Sequence, residues 1–158
     1  MNVVRASLWF VLGVALAGCS RSESEPTPAG EHPSSVASGA VHETANYRVT
    51  IEPVGPYEKG KDGVVNVVLV TKGDYHINDQ YPYKFVCQEP AAEGIDYTKK
   101  VVRRADGKFD KARAELPITF KAERTGTLKV GGILSLSVCN ASNCLMDKRP
   151  LVLDVTIP

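Results

Sequence analysis

An all-β fold is what this 158-residue chain predicts, on three observations. From Asn46 onward apolar residues recur at every second position and almost nowhere at helical spacing. β-Branched and aromatic residues fill those runs, and clusters rich in Gly, Asp and Lys interrupt them at short intervals. Many short strands separated by turns pack as two sheets or close into a barrel. The about 110 residues from Asn46 to Pro158 suffice for one domain with one core, and an immunoglobulin-like β-sandwich is the expected architecture.

The elements follow in order. Tyr47, Val49 and Ile51 alternate with Arg48, Thr50 and Glu52, the pattern of a half-buried strand. Gly63 to Val70 is a β-branched run, apolar enough for a central strand covered on both faces. Turns are expected at Lys59-Gly60-Lys61-Asp62-Gly63, Lys72-Gly73-Asp74, Ala105-Asp106-Gly107 and Gly131-Gly132. Glu89 to Asp96, rich in Pro, Ala and Gly and without period, reads as a long loop. Strands are expected over Ala112 to Phe120 and Thr127 to Val130. Leu134, Leu136 and Val138 then alternate with Ser135, Ser137 and Cys139, and Leu151, Leu153, Val155 and Ile157 alternate again.

The N-terminus has a different character. Met1 to Arg5 carries one cation and no acid; Ala6 to Gly18 is mostly apolar; and Leu16-Ala17-Gly18-Cys19 has the pattern a bacterial lipoprotein signal peptidase reads. Spanning a bilayer takes about 20 apolar residues, and here the chain turns polar at Ser20-Arg21-Ser22-Glu23, which disfavours a retained anchor. Residues 1–18 are therefore expected to be a signal peptide, with Cys19 the lipidated first residue of the mature chain. Firm attachment takes more than one acyl chain, as a diacylglyceryl, N-acylated Cys19 supplies. Residues 19–45, mainly Ser, Glu, Pro, Gly, Ala and Thr, read as a disordered linker, and the sandwich occupies 46–158. The expected location is the bacterial cell envelope, facing the periplasm. Without Arg5 the chain has 18 basic and 18 acidic side chains, so bulk charge offers no case for nucleic-acid binding.

With Cys19 assigned to lipid, Cys87, Cys139 and Cys144 remain. In an oxidising compartment, Cys139-Asn140-Ala141-Ser142-Asn143-Cys144 is a close pair flanking a polar turn, and a disulfide is expected there. By alternation Cys139 lies on the face opposite Leu134, Leu136 and Val138. Closing a six-residue ring removes only about 2 kcal/mol of unfolded-chain entropy, against about 4 for a Cys87–Cys139 link. A staple selected for stability would favour the longer loop, whereas a tight ring on a turn opens and recloses readily. Closely spaced structural disulfides are nonetheless common in secreted domains, so both readings stand at this point. Lys148 and Arg149 favour a Cys144 thiolate and Asp147 opposes it. Cys87, within Tyr83-Lys84-Phe85-Val86-Cys87-Gln88, reads as a buried, inert thiol.

Gly73-Asp74-Tyr75-His76-Ile77-Asn78-Asp79-Gln80-Tyr81-Pro82-Tyr83-Lys84-Phe85, together with the stretch from Ile133 through Cys139 and Cys144 to Val155, resembles the periplasmic N-terminal domain of the thiol:disulfide interchange protein DsbD and its stand-alone relatives. The resemblance spans most of residues 63–158. It implies an immunoglobulin-like sandwich that takes electrons from a membrane thiol reductase and passes them to thioredoxin-like or other disulfide proteins of the envelope. It further implies that Cys144 attacks partners and Cys139 resolves the mixed disulfide. Ala105 to Asp110 falls where that domain carries a loop capping its cysteines, which makes Phe109 the candidate cap. The reductase would here be a separate protein.

The remaining signals are weaker. His76, beside a Gly-Asp turn, has the character of a loop hydrogen-bonder, with acid–base chemistry as the alternative. Tyr75, Tyr81, Tyr83 and Phe85 suit core packing more than a ligand groove. Two thiolates lack two further zinc ligands, since His32 and His42 fall in the linker and His76 in another turn; neither a metal nor a cofactor is expected. Asn140-Ala141-Ser142 matches a glycosylation acceptor by chance in a bacterial chain. No Ser-His-Asp set or phosphate loop is recognisable. Two functions remain: a disulfide-exchange domain, or a non-catalytic interaction module with a structural disulfide.

Overall fold

The computed structural model describes residues 39–158, in which eleven strands form two antiparallel sheets. One sheet contains β1 (Val41–Glu43), β2 (Tyr47–Val54), β3 (Asp62–Thr71), β9 (Arg113–Ala122) and β6 (Ile95–Tyr97) in that spatial order, with β8 (Lys108–Phe109) also on β9. The other runs β11 (Cys144–Ile157), β10 (Gly126–Cys139), β5 (Lys84–Cys87) and β7 (Val101–Arg103), with β4 (His76–Ile77) pairing β10 beyond β5. The β2-β3-β9-β6 and β5-β10-β11 orders correspond to the ABED and CFG sheets of the immunoglobulin sandwich. The expected fold class is the observed one.

Alternation places one face of each sheet inward. Val49 and Ile51 of β2, Val65, Val67 and Leu69 of β3, and Leu116, Ile118 and Phe120 of β9 meet Phe85, Leu128, Val130, Leu134, Leu136 and Val138 from the opposite sheet. Burying such a side chain contributes about 1.5–3 kcal/mol, so the strand pattern and the core are one statement.

Several boundaries differ from the sequence expectation, each for a physical reason. Strand structure is present before Asn46: Val41–Glu43 pairs with Arg48 to Thr50, and the half-buried His42 belongs to this strand. Ile95 and Asp96 leave the long loop to pair with Ala122 and Lys121 in β6. The outer face of β3 is only partly covered, with Val64, Asn66 and Val70 half-buried, and Val68 sheltered between its register partners Thr50 and Glu115. Gly131-Gly132 is no turn but the middle of the 14-residue strand β10. A Cβ on Gly131 would lie 2.6 Å from the Leu151 carbonyl oxygen, and one on Gly132 would strike the Val86 carbonyl oxygen and the Phe85 ring. Close approach of β10 to both neighbours requires these glycines. Tyr97 exploits the gap: its hydroxyl donates to the Gly131 carbonyl (3.1 Å) and accepts from the Gly131 N–H (2.9 Å).

Candidate functional site

The β10–β11 hairpin builds the site. Fourteen residue pairs are in register, from Gly126 opposite Ile157 to Cys139 opposite Cys144, so the cysteines form the last rung before the turn. Asn140 shapes that turn: its Oδ1 accepts from the Ser142 and Asn143 N–H groups, both at 2.9 Å, and its own N–H donates to the Asn143 carbonyl at 2.9 Å. The two sulfurs are bonded, with Cα atoms 4.0 Å apart.

The cysteines are unequally accessible. Cys144 is exposed, whereas Cys139 is only 6 % exposed although it shares the outward face of β10 with Ser135 and Ser137, themselves buried. The segment before β5 provides cover: β4 runs along β10, and the Asn78 side-chain N–H donates to Ser137 Oγ at 3.2 Å. Facing alone therefore misjudged Cys139, since β10 is covered on both sides at this end.

His76 lies opposite Cys139, giving a rank of His76, Cys139 and Cys144 across three strands of one face. Directly opposed Cβ atoms are about 4.5–5.5 Å apart, so the loop hydrogen-bonder of the sequence reading is a neighbour of the disulfide. The next residue back, Tyr75, donates from its hydroxyl to Asn143 Oδ1 (3.4 Å) and thus reaches the turn. Phe109 is elsewhere. It pairs with Ala114 in β8, its ring centroid 5.0 Å from that of Tyr83 and 4.5 Å beneath the Arg104 guanidinium. The expected cap residue is a packing residue, and the aromatic at the turn is Tyr75.

Charges near Cys144 also sort differently from their sequence order. Asp147 and Arg149 point inward to the sandwich edge and pair with each other. Tyr47 Oη donates to Asp147 Oδ2 at 2.5 Å and accepts from Arg149 Nε at 2.9 Å, tying β11 to β2. Burial, followed by the Asp147 hydrogen bond, pushes the Tyr47 hydroxyl up to about 12. His42 lies beside this cluster and is held below its usual value by burial and by Arg149. Of the three charges expected around Cys144, only Lys148 shares its face.

Cys87 is the buried free thiol. Its Sγ–H donates to the Lys99 carbonyl at 3.3 Å, and burial pushes its pKa up to about 11. It sits opposite Gly132, seven residues from Cys139 along β10, or about 23 Å at the rise of a strand. Neither partner of the disulfide is within its reach. Among the described residues no cluster of His, Cys, Asp and Glu could hold a metal ion, and no helix is long and apolar enough to cross a membrane. Cys19, the expected signal peptide over residues 1–18 and the expected linker as far as residue 38 lie outside the described residues.

No family model and no curated protein matches the chain. Among solved structures, the GAE domain of yeast GGA1 is similar at a TM-score of 0.41 with 7% sequence identity, over 72% of this chain and 96% of that domain.

Proposed function

We propose that this protein is a lipid-anchored thiol:disulfide exchange domain of the bacterial envelope, relaying electrons between a membrane thiol reductase and disulfide-bearing partners through Cys139 and Cys144. The observation that carries the reading is the accessibility difference within the pair: one sulfur is open to attack and its neighbour is covered. Exchange requires one sulfur open to attack, and cover over the other directs that attack to Cys144. A donor thiolate attacks the exposed Cys144 Sγ, the Cys139–Cys144 bond breaks, and Cys139 leaves as a thiolate. The donor's second thiolate then attacks the donor sulfur of the mixed disulfide, leaving the donor oxidised and both cysteines reduced. In the second half-cycle the Cys144 thiolate attacks a partner disulfide and expels one partner thiolate. Cys139 then attacks Cys144 Sγ, releasing the reduced partner and re-forming the ring.

A purely structural role accounts less well for the pair. The hairpin is already held through fourteen registered pairs, and closing so small a ring adds only about 2 kcal/mol of unfolded-state restriction. The deciding measurement is the reduction potential of the pair together with partner trapping. A potential near the envelope poise and capture of a partner by Cys139→Ala through Cys144 support exchange. A potential well below about −300 mV, with no capture by either single-cysteine variant, assigns the bond to structure.

A further inference from the structure

The outer face of the sheet holding β11, β10, β5 and β7 is organised in ranks that start at the disulfide. Opposed residues in an antiparallel sheet share a face, so the register specifies each rank. Beyond Cys139 and Cys144 come Ser137, buried beneath Asn78, and Met146, which is 75 % exposed and keeps the β11 side of this face open. Next come Arg103, Lys84, Ser135 and Lys148 across all four strands. After them run Val101, Val86, Ile133 and Pro150, with Ile133 47 % exposed. A groove of about 490 Å³ opens at this apolar rank, lined in part by Val86, Ile133, Pro150 and Val152.

The charge distribution is equally ordered. Among the described residues, Lys84, Arg103 and Lys148 form no ion pair; Asp106, near Arg103, is bound by Lys99. Elsewhere around the face the charges are matched, Lys129 with Asp154 and Lys100 with Glu89. Unbalanced positive charge is thus confined to the rank between the disulfide and the apolar groove. Ser135 lies four positions and Ile133 six positions before Cys139, or about 13 and 20 Å along the strand.

We infer that this face is the docking surface for the exchange partner, a protein with carboxylates about 13 Å from its reacting cysteine and an apolar side chain about 20 Å from it. The inference rests on the exchange reading above and specifies what that site selects. The unpaired cations steer an acidic partner, the groove accepts its apolar side chain, and the exposed Met146 offers an adaptable contact beside the sulfurs.

The test uses the detergent-solubilised full chain with its pair reduced, and two peptides whose single cysteine carries 5-thio-2-nitrobenzoate. One peptide has Glu at the fourth and fifth positions after the cysteine and Leu at the sixth; the other has Lys in place of Glu. Release of the coloured thiolate reports attack. The acidic peptide is expected to react about tenfold faster at low ionic strength, with the advantage lost at high salt and in both Lys84→Glu/Lys148→Glu and Lys84→Gln/Lys148→Gln. Equal rates for the two peptides overturn the docking surface while leaving exchange intact. Failure of both peptides to react overturns the exchange reading itself. Equal peptide rates, combined with binding of the unlipidated Cys19→Ser protein to phosphatidylglycerol vesicles that the charge substitutions abolish, would reassign the face to the membrane.

Discussion

Cys87 and Cys139 are both covered cysteines, yet they differ in what covers them. Cys87 lies within the apolar core, where a thiolate has no compensating charge, so its pKa rises to about 11 and nearly all of it is thiol at neutral pH. Native protein is therefore expected to leave Cys87 unalkylated by iodoacetamide near pH 8, with labelling only after unfolding; labelling at the rate of a free thiol would contradict the burial. A stability consequence follows from linkage. An unfolded Cys titrates near pH 8.5, so the preference for the neutral folded thiol is fully present below that pH and is lost as pH rises toward about 11. Thermal melts should show a shallower decline for Cys87→Ala than for the wild type across that window; parallel declines would mean that the thiol titrates normally. The fate of Cys87 was legible because it sits in an apolar run, a local property. His76 was not: its position opposite Cys139 depends on a pairing 63 residues away, which no local pattern records.

Strand β10 carries the main lesson at the scale of elements. A Gly-Gly pair signals a turn because glycine tolerates unusual backbone angles, but glycine also permits two strands to approach where any side chain would collide. Gly131 and Gly132 serve the second use, and composition alone does not separate the two. Gly132→Ala is expected to destabilise the domain by about 2–3 kcal/mol, since the added methyl meets the Val86 backbone and the Phe85 ring, both fixed by packing. Denaturant unfolding checks this, and a change under about 0.5 kcal/mol would mean that β5 and β10 can separate freely. The short element β8 makes the complementary point. Phe109 packs on Tyr83 and under Arg104, so Phe109→Ala should lower stability by about 1–3 kcal/mol while leaving the oxidation rate of the reduced pair unchanged. Faster oxidation at unchanged stability would restore the cap assigned by family resemblance. The spacing and polar turn located the cysteine pair, but no local pattern located its aromatic neighbour Tyr75, because loop placement depends on the length and packing of the chain around it.

Across the whole molecule, alternation predicted the sandwich because each sheet hides one face, and that requirement repeats along every strand. The ties between sheets at the edge were not predictable in the same way: Asp147 and Arg149 turn away from the Cys144 face to meet Tyr47, about a hundred residues earlier in the chain. The lipid anchor proposed above belongs to this scale too, and the motif on which it rests, Leu16-Ala17-Gly18-Cys19, lies outside the described residues. Anchoring and chemistry are separable if the sandwich folds around its own core and the lipid acts only by confining it near its partners. Cys19→Ser should then yield a soluble or unprocessed protein without acyl chains. Combined with Cys139→Ala, it should still form a mixed disulfide with an isolated partner in solution but capture much less of a membrane reductase in cells, because confinement to one surface raises effective concentration. Fatty-acylated protein recovered from the Cys19→Ser strain would refute the lipid assignment. Undiminished capture of a membrane partner by the released double variant would show instead that the docking face, not the anchor, brings the two proteins together.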